Sequence, residues 1–303
     1  MIIVDKNEKL FSIYRDRKRI VKMTTIKIER IPKESIDTFD KTKWNSNNHP
    51  IKPEDIPEGM SELAYYKDEN KKTILSEWLS LTNCDHIVTL SKESINSLME
   101  AIPTGILSRR RPKNFVEELQ DVEKEISKDW IEGDWFIRSD RVSPKDGVVA
   151  LPISSAKKLV DALSTSDRFY KALKDGDNKL YFFKYDPTWD EDREVRVFVH
   201  KGKVTAISQY VWYRKTWFNE RTDEELNIIV ENIIKYAEKA TKVLKDTDNA
   251  TVDLYIENLE KIRLVEFNSF GYSQAAGACL FHWLNHYDIL YGKTNNVVFR
   301  IVS

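Results

Sequence analysis

Three oxygen-bearing side chains, those of Asp253, Glu266 and Asn268, have the types and spacing that could bind a divalent metal ion. They lie in two runs of alternating polar and apolar residues, Thr251–Ile256 and Ile262–Asn268, and the short polar link between the runs predicts a β-hairpin. Asn268 follows Glu266 by two positions, so both side chains project from one face of the second strand. Such oxygens are hard ligands that suit Mg²⁺, which also binds water and phosphate oxygens. The hairpin therefore predicts a site for Mg²⁺ and a nucleotide.

The predicted site depends on which residues the hairpin pairs. A turn centred between Leu259 and Glu260 places Asp253 directly opposite Glu266, with Cβ atoms ~5 Å apart, where two carboxylates repel each other unless a cation lies between them. A register shifted by one residue would separate the pair, and acidic residues on a solvent-facing hairpin are the alternative interpretation. The alternation of Glu266 and Asn268 with apolar neighbours favours the floor of a polar cleft.

Basic residues elsewhere in the chain could contact the phosphates of a nucleotide. The candidates are Arg138, at the end of a predicted strand, Lys145, in a loop of small and basic residues, Lys184, in an aromatic strand, and Arg196, which follows Glu194 on one strand face. The alternatives are an ordinary turn for the segment that holds Arg138 and Lys145, a side chain that extends to water for Lys184, and a surface ion pair with Glu194 for Arg196. The P-loop pattern GxxxxGK[ST] does not occur in the sequence.

Periodic apolar patterns predict the elements that must position these residues. Helices are predicted at Lys92–Ile102, Phe115–Ser127, from the pair Ser154-Ser155 onward, and at Glu224–Leu244 after a capping box at Thr222–Glu225. Besides the late hairpin, strands are predicted at Trp135–Arg138, Lys179–Tyr185, Glu194–Val199 and Val204–Tyr210, the last two joined by the loop His200–Lys203. Hairpins interleaved with helices indicate an α+β fold with antiparallel sheets.

Composition narrows the class of protein. The chain has 303 residues, of which 41% are hydrophobic and 32% charged, so it is long enough for two lobes with a substantial core. The formal net charge of −1 gives no case for direct nucleic-acid binding. The two cysteines, Cys84 and Cys279, lack CxxC spacing, which fits a reducing compartment. Because the sequence has neither a membrane-spanning run nor a signal-peptide pattern, we expect a cytoplasmic protein.

Two clusters of basic residues stand apart from the candidate site. The cluster Arg15–Arg19 is interpreted as a solvated basic face. The cluster Ser108–Lys113 lies between two predicted helices, and its loop could contact a phosphate or an acidic partner.

Taken in order, these pieces resemble the eukaryotic cell-division-cycle protein 123 family, a divergent ATP-grasp group. The resemblance covers about residues 130–285, and its motifs are Phe136–Asp146, Glu194–Val199, Ala206–Gln209, Val252–Tyr255, Leu264–Phe270 and Cys279–Trp283. It implies an ATP-grasp fold in which two lobes with mainly antiparallel sheets enclose a nucleotide cleft. We expect an N-terminal segment at residues 1–80, an N-side lobe at 81–184 and a C-side lobe at 185–303.

The resemblance also implies roles for individual residues. Asp253, Glu266 and Asn268 match the magnesium ligands, Lys184 matches the strand that leads to the adenine hinge, and Arg196 matches an arginine in the phosphate cleft. Arg138 stands where the family usually has a phosphate-binding lysine, which keeps the charge but changes the geometry. The chain also departs from the family pattern at Glu266, where Asp is usual, and at Ser269, where Pro is usual.

Several functions are consistent with this interpretation. The resemblance implies an ATP-binding assembly factor, or chaperone, for the translation initiation factor 2 complex, with the gamma subunit as its partner. The alternatives are an ATP-dependent carboxylate–amine ligase of the ATP-grasp class and a partner-binding scaffold without nucleotide. A nucleic-acid-ligase-like enzyme is disfavoured, because Lys145-Asp-Gly147 only partly matches the KxDG pattern. No catalytic residue is assigned.

Overall fold

Two β-sheets and the helices that cover them make up the described part of the chain, which in the computed structural model comprises residues 25–36, 40, 42–47 and 49–303. The basic cluster Arg15–Arg19 lies outside the described residues. The sheets and helices together confirm the predicted α+β class.

Nine strands lie in the described residues. In chain order they are β1 (Thr25–Ile31), β2 (His86–Thr89), β3 (Trp135–Arg138), β4 (Lys179–Lys184), β5 (Glu194–His200), β6 (Lys203–Gln209), β7 (Ala250–Ile256), β8 (Ile262–Asn268) and β9 (Asn296–Val302).

Eight α-helices lie in the same part of the chain. They are α1 (Glu62–Lys71), α2 (Leu75–Trp78), α3 (Lys92–Ser108), α4 (Val116–Lys128), α5 (Ala156–Leu163), α6 (Asp167–Lys174), α7 (Asp223–Thr241) and α8 (Tyr287–Leu290). Short 3₁₀ helices occur at Lys33–Ser35, Pro53–Asp55, Leu79–Leu81, Lys113–Phe115, Glu191–Arg193 and Trp217–Glu220.

The larger sheet has six strands in the order β1-β9-β6-β5-β7-β8. The β5-β6, β5-β7 and β7-β8 pairs are antiparallel, whereas β9 runs parallel to both β1 and β6. Helix α7 covers one face, because its buried stripe, which includes Ile229 and Ile233, packs on the valines of β5. A capping box starts this helix: Thr222 and Glu225 exchange side-chain-to-backbone hydrogen bonds of 3.2 and 2.8 Å.

The smaller sheet has three strands in the order β2-β4-β3, and both of its strand pairs are antiparallel. One face packs against α3, α4, α5 and α6 through residues such as Phe182 and Ile137. The other face carries Tyr181, which belongs to the same apolar cluster as residues of β7 and β8. The smaller sheet therefore turns its uncovered face toward the larger one.

Local patterns predict most of these elements, and pairing between distant segments accounts for the ones they miss. Strand β1 pairs in parallel with β9, from the opposite end of the chain, and no local pattern predicts either strand. The predicted loop His200–Lys203 is tighter than expected, since His200 pairs with Lys203 and leaves a two-residue turn. Both turn residues, Lys201 and Gly202, have positive φ, as such a turn requires.

Among the described residues, no helix has the length and apolar character that crossing a lipid bilayer requires.

The packing of α7 predicts a sharp difference between two isoleucines on that helix. Ile233 is fully buried, and Ile233→Ala should lower the free energy of unfolding by about 2–5 kcal/mol, because it leaves a cavity. Ile228 is 44% exposed, so Ile228→Ala should change that free energy by about 0.5 kcal/mol or less. Urea denaturation followed by circular dichroism measures both, and equal losses would contradict the assigned packing of α7.

Candidate functional site

A row of polar side chains crosses the larger sheet on the face opposite α7. Each member is directly paired with the next on the neighbouring strand, and the row reads Glu29, Arg300, Ser208, Arg196, Asp253 and Glu266. Strand side chains alternate between faces, which is why the neighbours Val195 and Val197 join the apolar core under α7 instead. The row thus places both arginines and three carboxylates on one continuous face of the sheet, with Asp253 and Glu266 as neighbouring like charges.

The centre of the row is a bidentate ion pair between Arg196 and Asp253. The Nε and Nη2 atoms of Arg196 donate to the two carboxylate oxygens of Asp253 at 2.8 and 2.7 Å. The remaining Nη1 of Arg196 donates to the Gly277 carbonyl oxygen at 2.7 Å. Asp253 is 1% exposed, so this bidentate geometry provides the compensation that a buried carboxylate requires.

The predicted pairing of Asp253 with Glu266 is confirmed, but the predicted turn centre is wrong. Leu254 pairs with Leu264, and the Glu257 amide donates to the Lys261 carbonyl, so the turn is centred on Leu259. The register shifts by one residue between Leu254 and Asp253, where β8 contains a β-bulge. The bulge restores the pairing that places the two carboxylates opposite each other.

Glu266 connects the two sheets. Arg138, at the end of β3, donates from Nη1 to Glu266 Oε2 at 3.2 Å, and its guanidinium lies 5.7 Å from the centre of the Trp78 ring. Asn268 Nδ2 donates to both Asp253 and Glu266 at 3.3 Å. Each of the two facing carboxylates therefore has its own arginine, and Asn268 lies between them.

The two other predicted site residues, Lys145 and Lys184, lie in different parts of the structure. Lys145 is exposed in the loop after β3, and its charge helps to lower the pKa of Glu266. Lys184 is exposed and pairs with Trp135, on the helix-covered face of β4, whereas Arg138 pairs with Tyr181 on the opposite face. The structure therefore brings Arg138, Arg196, Asp253, Glu266 and Asn268 together and does not bring Lys184 to them.

Two partly or fully buried aspartates hold the loop that carries Lys145. Asp177 accepts hydrogen bonds from Ser139 Oγ at 2.6 Å and from the Arg141 amide at 3.0 Å, and it also pairs with the Arg141 side chain. Asp146 accepts from Ser166 Oγ at 2.5 Å and from the Arg168 amide at 3.1 Å. The loop is thus fixed at two points beside the cleft.

The surroundings shift the pKa values of the carboxyl groups in opposite directions. Burial, opposed by Arg196 and reinforced by Glu266, raises the pKa of Asp253 to about 6. Burial acts in the same direction on Glu266, but the charges of Arg138 and Arg196 outweigh it and lower its pKa. Glu266 is therefore the more readily ionised member of the facing pair.

Glu194 lies beside this pair, and its partner cannot be found from the sequence. The Glu194–Arg196 ion pair that was the alternative interpretation is replaced by two other contacts: Arg196 pairs with Asp253, and Trp189 Nε1 donates to Glu194 Oε1 at 2.5 Å. Burial raises the pKa of Glu194 to about 7. The Trp189 ring lies 4.2 Å from that of Tyr255. Trp189 follows β4 in a charged loop that no sequence pattern assigns to an element, so only the fold reveals this contact.

The cluster Ser108–Lys113 forms the end of α3 and the turn after it. Arg109 has a positive φ of 50° and donates to the Asp146 carbonyl oxygen at 3.3 Å, so this turn contacts the loop that carries Lys145. Arg111 pairs with Glu123 and Asp161 at 2.8 and 3.2 Å. Arg109 and Arg110 are exposed.

The oxygen-bearing side chains of the site can be compared with the ligands that a metal ion requires. In the described part of the chain, no group of three or more His, Cys, Asp and Glu side chains is arranged to hold a metal. Asp253 and Glu266 are two carboxylates with an amide beside them, and Mg²⁺ commonly takes only one or two carboxylates and keeps waters and phosphate oxygens. The Glu266 side chain is 29% exposed and so can be reached from the cleft. These residues fit Mg²⁺ bound together with a phosphate.

The raised pKa of Glu194 predicts a pH-dependent stability. In the folded protein Glu194 takes up a proton near pH 7, whereas an unfolded glutamate, with an ordinary pKa of 4.5, stays ionised down to much lower pH. Stability from this group is therefore present at low pH and is lost as the pH rises through 7. Between pH 8 and pH 6 the wild type should gain about 1 kcal/mol of unfolding free energy relative to Glu194→Gln. Glu260→Gln, at an exposed turn position, is the control, and parallel pH profiles for wild type and Glu194→Gln would refute the shift.

With this geometry established, comparison with known proteins gives consistent matches. The D123 family model matches residues 169–303. A CDC123-like protein of Acanthamoeba polyphaga mimivirus is 27% identical over 232 residues, which are 72% of this chain and 67% of that protein.

Solved structures agree with the family match. Cdc123 from Schizosaccharomyces pombe superimposes with a TM-score of 0.56 at 19% identity, over 78% of this chain and 98% of that one. Its C-terminally truncated form gives 0.54 at 18% identity, over the same shares of the two chains. The chain therefore has the fold of Cdc123. Together with the D123 match over residues 169–303, this fold makes the chain similar to the cell-division-cycle protein 123 (D123) family.

Proposed function

We propose that the chain binds Mg²⁺-ATP between its two sheets, as an ATP-grasp protein, and acts as an assembly factor for the translation initiation factor 2 complex. The observation that carries the nucleotide site is the meeting of Asp253 and Glu266 with Arg138 and Arg196 where the sheets face each other. Two carboxylates and two guanidinium groups at one point supply ligands for a metal and contacts for phosphates.

The proposal divides the roles among the clustered residues. Asp253, Glu266 and Asn268 would hold Mg²⁺, which supplies charge neutralisation at the phosphates. Arg138 would exchange Glu266 for a phosphate oxygen, and Arg196 would keep Asp253 oriented while facing the same cleft. Lys145 would reach the phosphates from its fixed loop. Lys184 has no part in this arrangement, because it lies on the other face of β4.

The lobes of the proposed cleft are residues 81–184 and 185–303, with the nucleotide between them. The smaller sheet and its helices lie in the first range, and five of the six strands of the larger sheet lie in the second. Strand β1, from the N-terminal segment, completes the larger sheet at its far edge.

The proposed role in assembly is supported by the family resemblance alone. The resemblance implies binding to the gamma subunit of translation initiation factor 2, and we propose this subunit as the partner. A partner-binding scaffold without nucleotide is the second candidate. The observation that favours it is internal charge balance, since Arg138 and Arg196 already neutralise Glu266 and Asp253.

Glu266→Gln tests the nucleotide site. It keeps the side-chain shape and removes the charge, so it should abolish stabilisation by Mg²⁺-ATP while leaving a cooperative unfolding transition. In the wild type, ATP with Mg²⁺ at a hundredfold excess over its dissociation constant should add about 2.7 kcal/mol to the unfolding free energy. A thermal-shift titration with and without Mg²⁺ measures this effect, and Glu260→Gln on the same hairpin is the matched control.

The two candidates give different outcomes in that titration. A shift that needs Mg²⁺ and disappears only in Glu266→Gln supports the proposed site. Normal binding by Glu266→Gln would remove the metal assignment, and the absence of a shift in all three proteins would support the scaffold.

Affinity capture tests the proposed partner. The tagged wild-type chain should recover the gamma subunit of translation initiation factor 2 from a complete host lysate, quantified by mass spectrometry against an unrelated tagged protein. Glu266→Gln, captured in parallel with and without added ATP, measures whether binding depends on the nucleotide. Failure to enrich the gamma subunit with the wild type would contradict the assembly role and leave the nucleotide site standing.

A further inference from the structure

A short segment before the N-side lobe lies between the two sheets. This segment, Thr73–Trp78, which we call the wedge, contains the single-turn helix α2. Its residues Leu75 and Trp78 are 0% and 1% exposed, although the segment belongs to neither sheet. Because the segment is buried between the sheets, it must contact both of them.

On the side of the smaller sheet, the wedge is held by one aspartate. The amide of Leu75 donates to the Asp140 carbonyl oxygen at 2.9 Å, and the amide of Ser76 donates to Asp140 Oδ1 at 2.8 Å. The hydroxyl of Tyr181, on β4, donates to the same carboxylate oxygen at 3.0 Å. Asp140 thus satisfies free amides at the start of α2 and ties them to the smaller sheet.

On the side of the larger sheet, the wedge contacts β8 and the residue that follows it. The Trp78 ring meets Phe267 edge to face, with ring centres 5.6 Å apart. The Thr73 and Ser269 hydroxyls lie within hydrogen-bond distance of each other, at 3.2 Å. Phe267 and Ser269 flank Asn268, so the wedge packs directly behind the candidate metal ligands.

Trp78 also touches the arginine that joins the sheets. The guanidinium of Arg138 lies 5.7 Å from the centre of the indole ring, and the same arginine donates to Glu266. The indole is itself fixed, because its Nε1 donates to the Thr73 carbonyl oxygen at 3.0 Å. One buried ring therefore contacts Phe267 from the larger sheet and Arg138 from the smaller one.

We propose that the wedge sets the separation of the two sheets and that Trp78 is the positioning residue that holds Arg138 over Glu266. This gives part of the N-terminal segment a function in the cleft, outside the sequence motifs at residues 130–285 that carry the resemblance. The spacer role rests on packing alone, and only the consequence for nucleotide affinity rests on the proposed function.

The experiment measures the distance between the lobes directly. Nitroxide labels are attached through non-cysteine chemistry at Glu118 on α4 and Lys239 on α7, both exposed, and their distance distribution is measured by pulsed electron paramagnetic resonance. Trp78→Leu removes the aromatic face, and Asp140→Ala removes the anchor on the smaller sheet. Trp78→Phe keeps a ring for both contacts and serves as the conservative variant.

The matched control removes a tryptophan from one lobe only. Trp130 packs edge to face on Phe182 within the core of the smaller sheet, with ring centres 5.7 Å apart, so Trp130→Leu loses a comparable contact without touching the larger sheet. Each variant is first checked for a cooperative unfolding transition. Asp140→Ala keeps the test decisive if Trp78→Leu fails to fold, because it leaves the apolar contacts of Trp78 unchanged.

The expected result is a broader and shifted distance distribution in Trp78→Leu and Asp140→Ala, and a wild-type distribution in Trp78→Phe and Trp130→Leu. Binding of Mg²⁺-ATP should weaken by about tenfold in Trp78→Leu and recover in Trp78→Phe, because misplacing Arg138 removes a phosphate contact. Unchanged distributions in both Trp78→Leu and Asp140→Ala would overturn the spacer role, whatever the protein binds. A wild type that binds no Mg²⁺-ATP would refute the proposed function, and the distance distributions alone would then decide whether the wedge is a spacer.

Discussion

The arrangement of this protein depends on two carboxylates that face each other across a pair of strands. Asp253 and Glu266 are directly paired on β7 and β8, where like charges repel. The repulsion is met by one arginine for each carboxylate, and the two arginines come from different places. Arg196 lies on the neighbouring strand of the same sheet, whereas Arg138 comes from the smaller sheet. Glu266 therefore meets its arginine only when the two sheets lie together. Charge pairing at this one hairpin thus helps to determine the tertiary structure.

The surrounding elements can be understood as supports for that point. The bulge in β8 brings Glu266 into register with Asp253, and the bidentate contact with Arg196 compensates for the burial of Asp253. Asp146 and Asp177 hold the loop after Arg138. The side chain of Trp78 lies between Arg138 and Phe267, so the smaller sheet, the larger sheet and a segment outside both meet at one ring. A buried charge is stable only when its partners are held in place, and these contacts hold them.

The similarity to the cell-division-cycle protein 123 family agrees with this geometry, and two of the departures that the resemblance implies lie at its centre. Arg138 stands where the resemblance implies a lysine. It donates from a guanidinium nitrogen to Glu266, and its guanidinium lies near the Trp78 ring, a contact for which a planar cation is well suited. Ser269 stands where the resemblance implies a proline, and its hydroxyl contacts that of Thr73. Both replacements therefore have partners in the same small region between the sheets.

The sequence by itself determined the elements whose patterns are local: strands β3 and β8 to the residue, the capping box of α7, and the face on which Asp253, Glu266 and Asn268 lie. Side-chain alternation and helical periodicity depend only on neighbouring residues, so a single sequence reveals them. The tertiary structure alone decided the β1-β9 pairing, the choice of Asp253 over Glu194 as the partner of Arg196, and the separation of Lys184 from the site. It also decided that the wedge lies between the sheets. These features depend on which distant segments contact each other. The contacts are chosen by the free energy of burial and of charge pairing across the whole fold, and a local sequence pattern carries no information about either.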